Sequence, residues 1–285
     1  MVIYLKCKLT KMKRVLFPIL IISIFISCRK EDDTPGSILG GPDRDLELGQ
    51  QVSAEIESNP AEYPIMPENT EDQKKAYEYL RNNIIGPLLQ SDDINLADKF
   101  PYLEAKIIAD DNVLNAFCTP GGFIYVYSGL IKYLEVEDHL VGVLGHEIAH
   151  AERRHSIKQL EKQYGVSIIL SIIAGEGSSQ LAQMAGSIAG TGIILKFSRS
   201  AESEADEFAV KYTSDTEYAC NGVAGFFEKI SEEGGSGPPA FLSTHPSPDK
   251  RVEDINDLAK DLGCNKNNKP NADYAQFKQW VANGL

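Results

Sequence analysis

Residues 137–156 read EDHLVGVLGHEIAHAERRHS, and the organisation of the chain is decided there. Leu140, Leu144 and Ile148 recur at helical spacing as one apolar stripe. Gly142, Gly145 and Ala149 form a second stripe of small side chains, which lets a neighbouring backbone come close. Glu135, Glu137 and Asp138 stand at the start, where the helix dipole favours anions. The pattern predicts helix from Glu137 to about Tyr164. Within it, His146-Glu147-Ile148-Ala149-His150 puts two imidazoles at i and i+4, one turn apart on one face. Both can reach one Zn²⁺ through nitrogens about 2.0–2.1 Å from it, and Glu147 stands beside them to take a proton from water polarised by the ion.

A catalytic zinc needs a third protein ligand. The continuation HxxGxxH is absent, because positions 153 and 156 are Arg153 and Ser156. On a continuing helix His155 points away from His150 and reads as a surface or packing side chain. His139, two turns before His146 and about 10 Å along the axis, reads as exposed. The downstream candidate is SRSAESEAD at 198–206. Glu202 and Asp206 are i and i+4 on a predicted helix over 197–214, so Glu202 can ligate while Asp206 accepts an N–H from a ligand histidine. Spacing alone leaves Glu204 and Glu207 open. Arg199 can pair with an acid or touch substrate.

HEIAH and SRSAESEAD stand in order with LNAFCTPGGFIYVYSGLI at 114–131 and STHPSPDKR at 243–251. This arrangement resembles the zinc metallopeptidases that include HtpX and the CAAX prenyl proteases. It is most similar to envelope lipoprotein members of the BepA and LoiP type, over roughly residues 43–262. It departs at Cys118, where a small apolar residue is commoner, and no tetratricopeptide domain is expected. The resemblance implies an α+β, predominantly helical, zincin-like metallopeptidase domain over residues 42–285, with a small antiparallel sheet beside the HExxH helix. It implies one Zn²⁺ held by His146, His150 and Glu202, Glu147 as general base and Asp206 behind a ligand histidine. It gives His245 two alternative roles: stabilising the developing oxyanion, or latching the open coordination site. It also marks Asn115, Ala116, Phe123 and Tyr125 as a strand edge for an extended peptide substrate. The implied activity is endoproteolysis of misfolded or unassembled envelope proteins, with the outer-membrane assembly machinery as an associated partner. The alternative is a chaperone-like holder of outer-membrane proteins with little turnover.

The three β-like stretches lie at Ala105–Ala109, Val113–Cys118 and Phe123–Tyr127, separated by Asp110-Asp111-Asn112 and Thr119-Pro120-Gly121-Gly122 turns. Upstream, Leu48, Val52 and Ile56 predict a helix over 43–58. Thr70 with Gln73 reads as a capping box, opening a helix that carries Tyr77, Leu80, Ile84 and Leu88 on one face. Residues 166–196 are rich in Ile, Ala and Gly, are broken by Glu176 and Gln183, and read as a buried helical pair. Helices are also predicted at Gly222–Ser231, at Pro248–Leu262 with Ser247-Pro248 as cap and first residue, and at Tyr274–Ala282.

The chain has 285 residues and a net charge of −13, from 28 Lys and Arg against 41 Asp and Glu. The first 27 residues hold Lys6, Lys8, Lys11, Lys13, Arg14 and no acid, so the remainder is more acidic still. Such a surface repels phosphate backbones and argues against nucleic acid as a partner. The basic residues precede an apolar run, Val15–Ile26, too short for a bilayer span of about 20 residues but suited to a secretion signal. Met12-Lys13-Arg14 reads as a natural start. Phe25-Ile26-Ser27-Cys28 resembles a lipobox, so residues 1–27 are expected to be a lipoprotein signal peptide and Cys28 the lipidated residue. The expected location is then the bacterial cell envelope, lipid-anchored at the outer membrane. Residues 28–41 read as a flexible linker, in which Lys30-Glu31-Asp32-Asp33 resembles an acidic surface-export signal. Export implies an oxidising compartment. Cys220 and Cys264 flank two predicted helices and are candidates to pair, which sequence alone does not decide; Cys118 is then a free thiol in a strand.

Overall fold

The computed structural model describes residues 37–191, 195–233, 240–245, 249–264 and 272–285. Residues 1–27, read above as a signal peptide, together with Cys28 and the Ser247-Pro248 cap, lie outside the described residues. The end of the segment read as a linker is packed onto the domain: Leu39 is buried and its N–H donates to Glu161 Oε1 at 2.6 Å.

Helix α1 (Pro42–Glu57) starts with Pro in its first turn and buries Leu48, Val52 and Ile56. The Thr70–Gln73 capping box is present and opens α2 (Glu71–Tyr79). A π-helical stretch (Leu80–Ile85) and a short α3 (Gly86–Leu88) continue it. Tyr77, Leu80, Ile84 and Leu88 are all buried, as their shared helical face predicts. Strands β1 (Lys106–Ile108), β2 (Ala116–Cys118) and β3 (Ile124–Tyr127) follow. Next come α4 (Ser128–Tyr133), α5 (Glu137–Glu152), α6 (His155–Tyr164), α7 (Val166–Ile173) and α8 (Ser178–Ala189). The chain continues with α9 (Arg199–Ser214), α10 (Gly222–Glu233), α11 (Ala240–Thr244), α12 (Asp249–Asp261) and α13 (Ala272–Gly284). Among the described residues no helix is long and apolar enough to cross a membrane.

The sheet departs from the antiparallel expectation. Its order is β1-β3-β2: β2 pairs antiparallel with β3 across the tight turn, while β1 pairs parallel with β3. The long connection from β1 to β2 lets β3 take the central place, which a meander would not allow. The turn requires positive φ at Gly121 (76°) and Gly122 (87°), and a Cβ on Gly49 of α1 would stand 1.9 Å from Pro120 O. Period-two alternation gives the sheet two buried faces. Ala116, Cys118, Ile124 and Val126 join the main core with α2, α5, α9 and α10. Phe117, Tyr125 and Tyr127 join a second core with α1, α6, α7 and α8.

Helix α5 runs through the main core. A Cβ on Gly142 would lie 2.2 Å from Val223 N, so α10 packs backbone to backbone against it. This approach also buries His139, contrary to its expected exposure: a Cβ on Gly225 would come within 2.2 Å of its Nε2. The helix expected to reach Tyr164 is broken instead. Arg154 adopts the left-handed conformation (φ 58°, ψ 32°), and α6 sets off in a new direction. A non-glycine residue pays about 1–2 kcal/mol for that conformation. The Arg154 guanidinium is pinned by Asp45 of α1, with Nε and Nη2 donating at 2.6 and 2.8 Å. Cys220, before α10, and Cys264, after α12, form a disulfide, and Cys118 is a buried free thiol.

Candidate metal centre

Helix α5 supplies His146, Glu147 and His150, all buried, because its whole circumference is covered. Helix α9 packs along it and presents Glu202 and Asp206 from its first two turns. His245, just past α11, completes the group. One ligand atom from each of His146, His150, Glu202 and His245 lies within 4.8 Å of all the others. His146 Nε2 is 3.0 Å from His150 Nε2, 3.2 Å from His245 Nδ1 and 3.6 Å from Glu202 Oε2. Glu202 Oε1 is 3.0 Å from His245 Nδ1 and 3.6 Å from His150 Nε2.

These separations test the site for a cation. Asp206 Oδ1 lies 2.9 Å from His146 Nδ1; an ionised carboxylate only accepts, so Nδ1 carries the proton and Nε2 turns a bare lone pair inward. The bare His146 Nε2 thus faces the Glu202 carboxylate, the His150 ring and the His245 ring at one dry point, a donor set that a cation can bridge. A tetrahedron with bonds of about 2.0–2.1 Å has edges of about 3.3–3.4 Å, which is the scale of the separations found. The donor set fits a metal ion.

The surroundings add proton chemistry and closure. Glu147 Oε2 accepts from Cys118 N–H on β2 at 3.2 Å, and its Oε1 lies 3.3 Å from His245 Nε2. Burial, reinforced by the neighbouring Glu202 charge, pushes the Glu147 carboxyl up to about 8, against the pull of His146. Burial, then the neighbouring His146 and His245 rings, holds His150 well below the usual imidazole range. Burial opposes ionisation of Asp206, yet hydrogen bonds from Arg251 and His146 hold its carboxyl below the ordinary value. His245 is stacked between Phe241 (centroids 4.3 Å apart) and Phe197 (5.3 Å). The cavity lined by Phe117, Cys118, Glu147, Ile188, Phe197 and His245 measures about 10 Å³, room for about one water.

The other expected positions divide. Ala116 lies on β2, whose outer edge faces α5, and Asn115 beside it is buried with its amide donating to Ala189 O at 3.2 Å. Tyr125 does not offer an edge, since β3 is the middle strand, and the Phe123 carbonyl is taken by the Thr119 N–H across the turn at 3.0 Å. The Tyr125 hydroxyl instead meets Ser53 at 2.7 Å in the second core. Glu207 pairs with Lys211 at 2.6 Å on the surface, and Arg199 is exposed.

Two residues were assigned no site role by spacing. His155 is buried, not on the surface, because the break at Arg154 folds it back against His150. Arg251 of α12 is buried and sends its guanidinium to Asp206 and Glu202 of α9. Its only sequence signal was its place in STHPSPDKR.

Comparison with known proteins agrees with this geometry. Residues 83–259 match the model of peptidase family M48. The putative beta-barrel assembly-enhancing protease of Vibrio cholerae is 34% identical over 168 residues, covering 54% of this chain and 34% of that protein. Mitochondrial metalloendopeptidase OMA1 of Schizosaccharomyces pombe is 34% identical over 154 residues, covering 53% of this chain and 45% of that one. Metalloprotease YcaL of Escherichia coli is 30% identical over 147 residues, covering 50% and 58%. The match therefore spans about a third of the length of the beta-barrel assembly-enhancing protease, 34%. With the HExxH helix, the α9 carboxylates and more than half of its length accounted for by one family model, the chain belongs to peptidase family M48.

Proposed function

We infer that the chain is a zinc-dependent endopeptidase of the bacterial cell envelope, tethered by a lipid on Cys28, that cleaves misfolded or unassembled envelope proteins. The observation that carries the catalytic part is the convergence of His146, His150 and Glu202 beside Glu147 in a dry pocket. A mixed imidazole and carboxylate set suits zinc, which when bound polarises the scissile carbonyl and acidifies water. Glu147 is placed to take the proton from the attacking water and hand it to the leaving amine. Asp206 holds His146 in the tautomer that leaves Nε2 free. The outer edge of β2 lies alongside, and an extended backbone adding there by main-chain pairing takes over the Cys118 N–H that Glu147 holds in this form.

His245 fills the fourth corner and leaves room for about one water. That supports the latch role over the oxyanion role: this is a resting form, and a peptide enters when His245 swings out. The envelope setting and the assembly machinery as an associated partner rest on the names of the relatives and on the signal-like N-terminus.

Casein hydrolysis by wild type and Glu147→Gln, with metal analysis of both, tests this. The expected result is zinc in both proteins and a loss of about 10²–10⁴-fold in the variant. Equal activity removes the mechanism. Client binding without turnover in the wild type favours the chaperone-like holder.

A further inference from the structure

We propose that His155 and Glu204 form a positioning relay for the ligand His150, in which His155 accepts the His150 Nδ1 proton and passes the constraint to Glu204. The inference rests on the metal-centre reading above. His155 Nδ1 is 3.1 Å from His150 Nδ1, and His155 Nε2 is 3.0 Å from Glu204 Oε2. Glu204 is itself held by Arg153 Nε at 2.7 Å. The directions follow from the chemistry of the end group. Glu204 is ionised and only accepts, so His155 Nε2 carries the proton. The neutral His155 ring then presents a lone pair at Nδ1, and the hydrogen between the two rings must come from His150. His150 therefore carries its proton on Nδ1 and turns a bare Nε2 toward the ligand cluster.

Asp206 does this for His146 directly from α9, and the relay does it for His150 through His155 of α6. Glu202, Glu204 and Asp206, within two turns of one helix, thus serve different partners: the cluster itself, His155 and His146. The backbone makes the relay possible. On an uninterrupted helix the residue five places after His150 would sit about 140° around the axis. The left-handed Arg154, anchored on Asp45, brings His155 back instead.

Partners of this kind tune metal affinity by roughly 10–100-fold. The full chain would be titrated with Zn²⁺ against a chromophoric chelator, as wild type and as His155→Phe, His155→Asn and Glu204→Met. Phenylalanine keeps the ring volume but cannot accept, whereas the asparagine carbonyl can replace Nδ1. The relay predicts a fall of roughly 10–100-fold for His155→Phe, with His155→Asn recovering most of it. A packing role predicts the reverse order, and that order overturns the proposal. If His155→Phe does not fold, Glu204→Met decides: an affinity equal to wild type overturns the relay. Ring ¹⁵N shifts of the metal-free protein give a readout independent of any ion. His150 is expected protonated on Nδ1 in the wild type and as a tautomer mixture in Glu204→Met. Protonation on Nε2 in the wild type sinks the relay and leaves the metal centre standing. A wild type with the expected tautomer but no bound zinc sinks the metal centre and leaves the relay.

Discussion

Arg251 donates two hydrogen bonds to Asp206, from Nε at 2.6 Å and Nη2 at 2.7 Å, across 45 residues of sequence. Its remaining Nη1 is 2.6 Å from Glu202 Oε2. One buried cation thus spans the carboxylate that faces the metal position and the carboxylate that orients His146. Removing it leaves two buried anions uncompensated. Arg251→Ala is expected to lose roughly 3–5 kcal/mol of stability. Arg251→Lys keeps the charge but cannot form the two-pronged contact, and is expected to lose roughly 1–3 kcal/mol. Urea unfolding of the metal-free proteins measures both; a wild-type midpoint in Arg251→Ala contradicts the arrangement.

The latch reading of His245 predicts a gain on deletion. If the closed form holds about 90% of molecules, His245→Ala raises the initial rate of casein cleavage about tenfold. The alternative role, stabilising the oxyanion, predicts a fall, so the sign of the change separates the two.

The Cys220–Cys264 disulfide ties the start of α10 to the end of α12, the helix that carries Arg251, across a sequence separation of 44. Loop-closure entropy for a loop of that size is about 4 kcal/mol. The double variant Cys220→Ser/Cys264→Ser is expected to unfold at lower denaturant by up to that amount. Adding a reductant to the wild type should reproduce the shift and leave the variant unmoved.

Metal removal should weaken the fold as well as the activity. The ligand atoms come together only in the folded chain, so the binding free energy of the ion adds to the stability of the fold. An ion present at 100 times its dissociation constant adds about 2.7 kcal/mol, or about 5–10 °C in melting temperature for a domain of this size. Calorimetry before and after treatment with a strong chelator tests it, and zinc should restore both the melting temperature and casein cleavage.

Much of this centre is local and was legible in the sequence. His146 and His150, like Glu202 and Asp206, are i, i+4 pairs, and a helix places such pairs on one face whatever surrounds it. The Thr70–Gln73 cap and the apolar faces of α1 and α2 are local in the same sense, as is the turn between β2 and β3. The place of His155 is not legible in this way, because it depends on one left-handed residue, Arg154, held by Asp45 109 residues earlier. Nor is the burial of His139, whose cover is α10, reaching it where Gly142, Gly222 and Gly225 allow close approach.

By itself, then, the sequence determined where most of the longer helices lie and which side chains each can present together, since both follow from backbone periodicity over a few residues; the break at Arg154 and the short helices α4 and α11 were not legible in it. Tertiary structure alone decided that β3 stands between β1 and β2, that Arg251 spans two carboxylates, that His245 closes the fourth corner and that His155 returns to His150. Each depends on which distant surfaces exclude water against one another, and that free energy belongs to the assembled core rather than to any one stretch of chain.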